Sequence, residues 1–264
     1  MSRRRKRNIH ISRAVVPSFF TILNMFSGFL AILSSAERDF ISAAWFVILA
    51  AVFDGLDGVM ARLTKSSSEF GVELDSLSDL VSFGVAPSFM LYKIGLHSLG
   101  SIGTISAAMV MVFGGLRLAR FNVQLVGFDK DYFKGLPIPS TAITISSFIL
   151  LFYDRFLGLL NSNAVPFLPV LAVGLSLLMV STVRYDTIPK LTKRGIAAHP
   201  LKFAIFVTAI AIAVATGGKA LFWMFLVYIV GGLVRWLIEH IKSILSSRRH
   251  EDQDEDVELS SFDI

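Results

Sequence analysis

Four aspartates, Asp54, Asp57, Asp75 and Asp79, lie in the stretch FDGLDGVMARLTKSSSEFGVELDSLSD, flanked by apolar runs long enough to cross a bilayer. Asp54 and Asp57 are three residues apart, and Asp75 and Asp79 are four apart. On helices, each pair therefore projects from one face. The intervening LTKSSSE reads as a polar turn, so an antiparallel helix pair would bring all four carboxylates together. Carboxylates gathered without partners repel one another, and divalent cations resolve the repulsion. An all-oxygen ligand set suits magnesium or manganese rather than zinc. Gly58 and Ala61, a turn apart beside the acids, leave a groove for a nucleotide or a second helix. Gly71 lets backbone pass close to the site, and Arg62 adds a fixed positive charge suited to phosphate. Acids, cations and an arginine at a membrane surface point to a metal-bound pyrophosphate. The same acids could instead line a proton or sodium path, or pair with lysines for structure. Spacing alone leaves those readings open.

The elements that must position these groups are helices. The chain of 264 residues is 54% hydrophobic and only 17% charged, with a mean hydropathy of +0.66. A soluble domain of this size carries more charged surface. The expectation is an all-α polytopic membrane bundle of about eight transmembrane helices, at 17–36, 40–62, 72–94, 99–121, 140–160, 164–184, 200–216 and 220–243. Residues 1–16 read as a basic juxtamembrane segment, 17–243 as one transmembrane domain, and 244–264 as a polar, disordered tail. The absence of cysteine excludes disulfides and thiolate metal sites. Glycine pairs at Gly114–Gly115 and Gly231–Gly232 suggest close helix contacts.

A net charge of +5 would suggest nucleic acid in a soluble protein, but here it marks inner loops and anionic headgroup contacts, and no nucleic-acid partner is expected. With both termini on the cytoplasmic side, only Arg38, Lys93, Arg155 and Lys219 of the 25 basic residues fall outside. That asymmetry fits an even number of spans and puts the aspartates at the cytoplasmic face.

Read in full, the stretch is D-x2-D-G-x2-A-R-x8-G-x3-D-x3-D: Asp54, Asp57, Gly58, Ala61, Arg62, Gly71, Asp75 and Asp79. This resembles the signature of the CDP-alcohol phosphatidyltransferases. FGVELDSLSDLVSFGVAPS, GLRLARFNV and FKGLPIPST are similar to words of the membrane-integral, serine-using branch of that family found in bacteria and archaea. PSFFTILNMFSGFLAI is similar to the branch's first span, although Ser18 stands where asparagine is usual.

The resemblance implies transfer of a phosphatidyl group from CDP-diacylglycerol to the hydroxyl of L-serine, with release of CMP. It implies two divalent cations, Mg2+ or Mn2+, held by Asp54, Asp57, Asp75 and Asp79, with Asp79 also the general base. Gly58, Ala61, Arg62 and Gly71 would line the CDP site, with Thr21 and Asn24 near the nucleotide. The serine carboxylate needs a receptor, for which Arg117 and Arg120 are suited, with Ser82, Asn122 and Lys134 as further candidates; basic residues at such a position also serve as topological anchors. A homodimer among membrane lipids, in a bacterial inner membrane, is the implied setting. Two other readings compete: a glycerol phosphate or inositol acceptor, which would demand a denser arginine cluster, and a cation-coupled transporter, which would need broken spans at mid-membrane.

Overall fold

A computed structural model describes residues 15–64, 68–125, 133–185 and 200–261. Helix α1 (Val15–Ala36) and α2 (Phe40–Thr64) form the most extensively packed pair. The turn between them puts Arg38 at φ 64°. Asp39 then caps α2 by accepting from the Ser42 N–H at 3.2 Å, and its hydrogen bonds to Ser42 hold its carboxyl below the usual range.

Helix α3 (Glu69–Asp79) starts at Ser68, whose Oγ accepts from the Gly71 N–H at 3.0 Å. It continues without a break through a π-helical segment, Leu80–Val85, into α4 (Ala86–Ile94). The wide turn has a local cause. Pro87 sits in the first turn of α4 and has no N–H to donate to the carbonyl four residues back, while the Ala86 N–H reaches back to Val81 instead.

After a short 3-10 turn at Leu96–Leu99, α5 (Gly100–Leu125) crosses back. Next come β1 (Phe133–Lys134), α6 (Ile138–Phe152), the hairpin β2 (Tyr153–Asp154) with β3 (Leu159–Leu160), and α7 (Phe167–Val180). The chain ends with β4 (Arg184–Tyr185), α8 (Pro200–Ala215) and α9 (Lys219–Ser261). Strands β1 and β4 pair antiparallel, Phe133 opposite Tyr185 and Lys134 opposite Arg184. Gly135 turns out of this ribbon at φ +86°, where a side chain would strike the Met179 backbone, and its N–H donates to the Val183 carbonyl at 2.8 Å. The GLPIPS segment is thereby docked on the end of α7.

The all-α membrane bundle of the sequence reading is what the structure shows, and helices lie at all eight expected places. Among the described residues, however, only four, Pro17–Ala36, Phe40–Thr64, Leu96–Val123 and Lys219–Lys242, are long and apolar enough to cross a membrane by themselves. The expected span at 140–160 stops at Phe152, where β2 and β3 take over, and the one at 164–184 is a 14-residue helix. Nor does the last helix stop at 243: α9 runs through Ser261 where composition suggested a disordered tail. No glycine or proline follows Gly232, so nothing in the sequence breaks the helix.

The core that positions the site lies between α1, α2, α4, α5 and α6, with Val47, Phe83, Met90, Val110, Ile138 and Ile145 fully buried. Helix α1 approaches the π segment so closely that a Cβ built at Gly28 would lie 2.7 Å from Ser82 Cα. Gly28→Ala should accordingly push two backbones apart and cost about 1–3 kcal/mol. Gly174→Ala, where a Cβ meets nothing within 4 Å, should stay within about 1 kcal/mol of the parent. Thermal unfolding of both purified variants in detergent checks the contrast; equal midpoints would refute it.

Candidate active site

The acids converge as the spacing requires. Asp54 and Asp57 come from the C-terminal half of α2 and Asp75 from α3, and one carboxylate oxygen of each lies within 4.8 Å of the other two. Asp79, the last residue of α3, is not in that set but is close enough to interact electrostatically with all three. Asp57 and Asp79 are buried, while Asp54 and Asp75 are half-buried.

Two α1 side chains reach these acids. Thr21 Oγ1 lies 3.1 Å from Asp57 Oδ2 and 3.2 Å from the Pro17 carbonyl, and its hydroxyl donates between them. Asn24 Nδ2 donates to Asp79 Oδ1 at 3.0 Å. Both residues are buried, facing the carboxylates rather than open space.

The arrangement suits a divalent cation. The three carboxylates form an oxygen-only donor set, and among the described residues the buried Asp75 Oδ1 has no hydrogen-bond partner. A buried carboxylate oxygen left without a donor is costly, and a hard cation satisfies it.

The remaining expected residues divide into two groups. Arg62 is exposed and folds along its own helix, its Nη1 lying 3.6 Å from where a Cβ on Gly58 would be. Ala61 is half-buried beside it, and Gly71 lies in the capped first turn of α3. Arg117 is half-buried on α5, within electrostatic range of Asp79 and Tyr228, and its buried Nε has no hydrogen-bond partner among the described residues. Arg120 is exposed one turn further on. Asn122 Nδ2 donates to Ser76 Oγ at 2.9 Å, tying α5 to α3. Ser82 is fully buried and donates to the Asn24 carbonyl at 2.8 Å. Lys134 pairs through its backbone in β1, and its side chain lies outside the described residues.

Two contributors were not singled out from the sequence. Ser78 donates to the Thr21 carbonyl at 2.9 Å; its place one turn before Ser82 on the face beside Asp75 and Asp79 was the available signal. Tyr228, near Arg117, comes from α9, more than a hundred residues downstream, and no local pattern announces it. Its ring lies 5.4 Å from that of Tyr185, whose phenol burial pushes up to about 12.

The family model for CDP-alcohol phosphatidyltransferase matches residues 14–180, which include all four aspartates. A CDP-diacylglycerol–serine O-phosphatidyltransferase of Helicobacter pylori is 34% identical over 233 residues, covering 88% of this chain and 95% of the relative. One of the same name from Methanocaldococcus jannaschii is 34% identical over 224 residues, covering 84% of this chain and 94% of its own. An archaetidylserine synthase of Methanothermobacter thermautotrophicus is 38% identical over 175 residues, covering 66% and 70%.

The acid cluster makes a direct prediction about metal. Manganese at a hundred times its dissociation constant should stabilise the purified protein by about 2.7 kcal/mol, and Asp75→Asn should weaken Mn2+ binding by at least about tenfold. Calorimetric titration and thermal unfolding read both. Unaltered Mn2+ affinity in Asp75→Asn would remove this carboxylate from the ligand set.

Proposed function

The chain belongs to the CDP-alcohol phosphatidyltransferase family, and from that premise we infer that it transfers the phosphatidyl group of CDP-diacylglycerol to L-serine, giving phosphatidylserine and CMP. The observation that carries the chemistry is the gathering of Asp54, Asp57 and Asp75 beside a buried Asp79 at one end of the bundle.

Asp54, Asp57 and Asp75 would hold divalent metal, Mg2+ or Mn2+, with Asp79 close enough to contribute to a second ion. When bound, such ions neutralise pyrophosphate charge and stabilise the departing phosphate. The chain's own groups do the rest. Gly58 and Ala61 leave the α2 face low beside the acids, and exposed Arg62 supplies a permanent positive charge for the CDP moiety. Gly71 keeps the opposite edge, the first turn of α3, free of a side chain. The serine hydroxyl oxygen bonds to the phosphorus that bears diacylglycerol, the bond from that phosphorus to the CMP oxygen breaks, and the hydroxyl proton passes to the Asp79 carboxylate. Arg117 would receive the serine carboxylate, a reading supported by its buried Nε, which has no hydrogen-bond partner among the described residues, and by its electrostatic reach to Asp79. Arg120, Asn122, Ser82 and Lys134 complete that side of the site, Asn122 and Ser82 by fixing the helices that frame it.

The site is at the membrane surface for a chemical reason: acyl chains stay in lipid, while serine and CMP are water-soluble. We assign it, with both termini, to the cytoplasmic face of a bacterial inner membrane, supported by the distribution of basic residues. The eight helical runs, α3 to α4 counting as one, cross an even number of times, and two copies associate as the family resemblance implies. Residues 17–243 form the catalytic domain, flanked by a basic segment at 1–16 and the acidic stretch 244–264. The acids lie together rather than along a path through the bundle, which favours transfer over ion transport.

CMP release from CDP-diacylglycerol across a panel of acceptors tests the assignment. Serine should be preferred, and serine-independent release or a preference for glycerol phosphate would overturn it. Asp79→Asn should lose about 10²–10⁴-fold in turnover while still binding CDP-diacylglycerol; full activity would remove Asp79 as the base.

A further inference from the structure

Helix α1 carries no acid, yet it touches both helices that do. Its bonds form a reciprocal ladder. On the side-chain side, Thr21 donates to Asp57 on α2, and Asn24 donates to Asp79 on α3. On the backbone side, the carbonyls of the same two residues accept from Ser78 at 2.9 Å and from Ser82 at 2.8 Å. Each α1 residue is therefore held by a serine and in turn holds an aspartate. Gly28, a turn beyond Asn24, lets the two backbones come close enough for the serines to reach.

Thr21 is 4% exposed and Asn24 is 0% exposed. Side chains this enclosed, with their donors directed at carboxylates, are poorly placed to read a nucleotide. They are well placed to orient an acid. A carboxylate without a donor can rotate about its last bond, and a single donor on one oxygen fixes which lone pairs of the other face the reacting groups. Misplacement of a catalytic group by about 1 Å can cost on the order of 10²-fold in rate.

We propose that Asn24 is a positioning residue for Asp79, that Thr21 does the same for Asp57, and that Ser82 and Ser78 act through them by fixing the register of α1. This rests on the phosphatidyl-transfer reading and adds an orienting layer to it.

The test is steady-state kinetics of the purified, Mg2+-loaded protein with both substrates varied, for Asn24→Ala, Ser82→Ala, the double variant and Asp79→Asn. Asn24→Ala should lower kcat about 10²-fold while leaving KM for CDP-diacylglycerol and for serine within about threefold. Ser82→Ala should show the same signature, smaller, and the double variant should be no slower than Asn24→Ala, because the two act in series. A rise in KM for CDP-diacylglycerol at constant kcat would overturn the proposal in favour of nucleotide contact. Multiplying losses in the double variant would overturn the serial link. A lowered unfolding temperature with unchanged kcat would reduce the ladder to packing. Should Asn24→Ala fail to fold, the kcat and KM of Ser82→Ala decide alone: a fall confined to kcat supports the proposal, and any other pattern overturns it. Asp79→Asn separates the two layers: normal turnover there removes the base assignment, whereas an inert Asp79→Asn beside a normal Asn24→Ala overturns positioning only.

Discussion

Three carboxylates held within 4.8 Å of one another, with a fourth, Asp79, in electrostatic range and all partly out of water, set the terms for the rest of this molecule. Removing a charge from water costs several kcal/mol even after relaxation, and neighbouring like charges add to that cost. Such a cluster persists only where its surroundings supply positive charge or hydrogen-bond donors. Here the donors come from Thr21 and Asn24, Arg117 supplies a fixed positive charge within electrostatic range of Asp79, and the oxygen-only set suits a divalent metal. Among the described residues, the buried Oδ1 of Asp75 has no hydrogen-bond partner.

That electrostatic demand dictates how the helices meet. Donors on α1 are useful only if α1 comes within hydrogen-bond distance of α2 and α3 together. Glycine at position 28 allows the approach, and the serines at 78 and 82 fix it. The π segment that follows Asp79 belongs to the same logic. A proline four residues after Phe83 would kink an ordinary α-helix where α3 must stay packed on α1. The wider turn absorbs the missing bond, and α3 continues into α4 without leaving the bundle.

Much of this was legible in the sequence, and the reason differs from part to part. The aspartate spacings i, i+3 and i, i+4 are local consequences of helical geometry, so the convergence of Asp54, Asp57 and Asp75 could be read directly. Hydrophobic runs located the helices because a bilayer imposes their length. The run at 140–160 outlasts its helix because apolar composition does not distinguish helix from the hairpin at Tyr153–Leu160, where Asp154 turns the chain by accepting from the N–H groups of Phe156 and Leu157. The glycine pairs were half right. Gly114 does sit under a neighbouring element, Ile138 of α6, but Gly232 makes room for the ring of Tyr185 rather than for another helix, and Gly231 faces open space. Such distinctions depend on which side of a helix faces the bundle, and a uniformly apolar helix leaves no pattern to read.

The serine hydroxyls illustrate the same limit at the site itself. From sequence, Ser82 beside the acids looked like a group for the substrate; in space its hydroxyl is committed to the Asn24 carbonyl and fully enclosed. A hydroxyl in an apolar bundle must find an acceptor, and a carbonyl on a helix pressed against it is the nearest available. Polar residues flanking a catalytic signature in a membrane helix therefore face two demands, substrate and neighbouring backbone, and a hydroxyl has only one proton to donate. Where the backbone claims it, the residue acts on the chemistry through helix register. On the proposed reading, the small polar residues of α1 and α3 then shape the site by deciding where the carboxylates stand, and the charged residues at the exposed edge are the groups left to meet ligands.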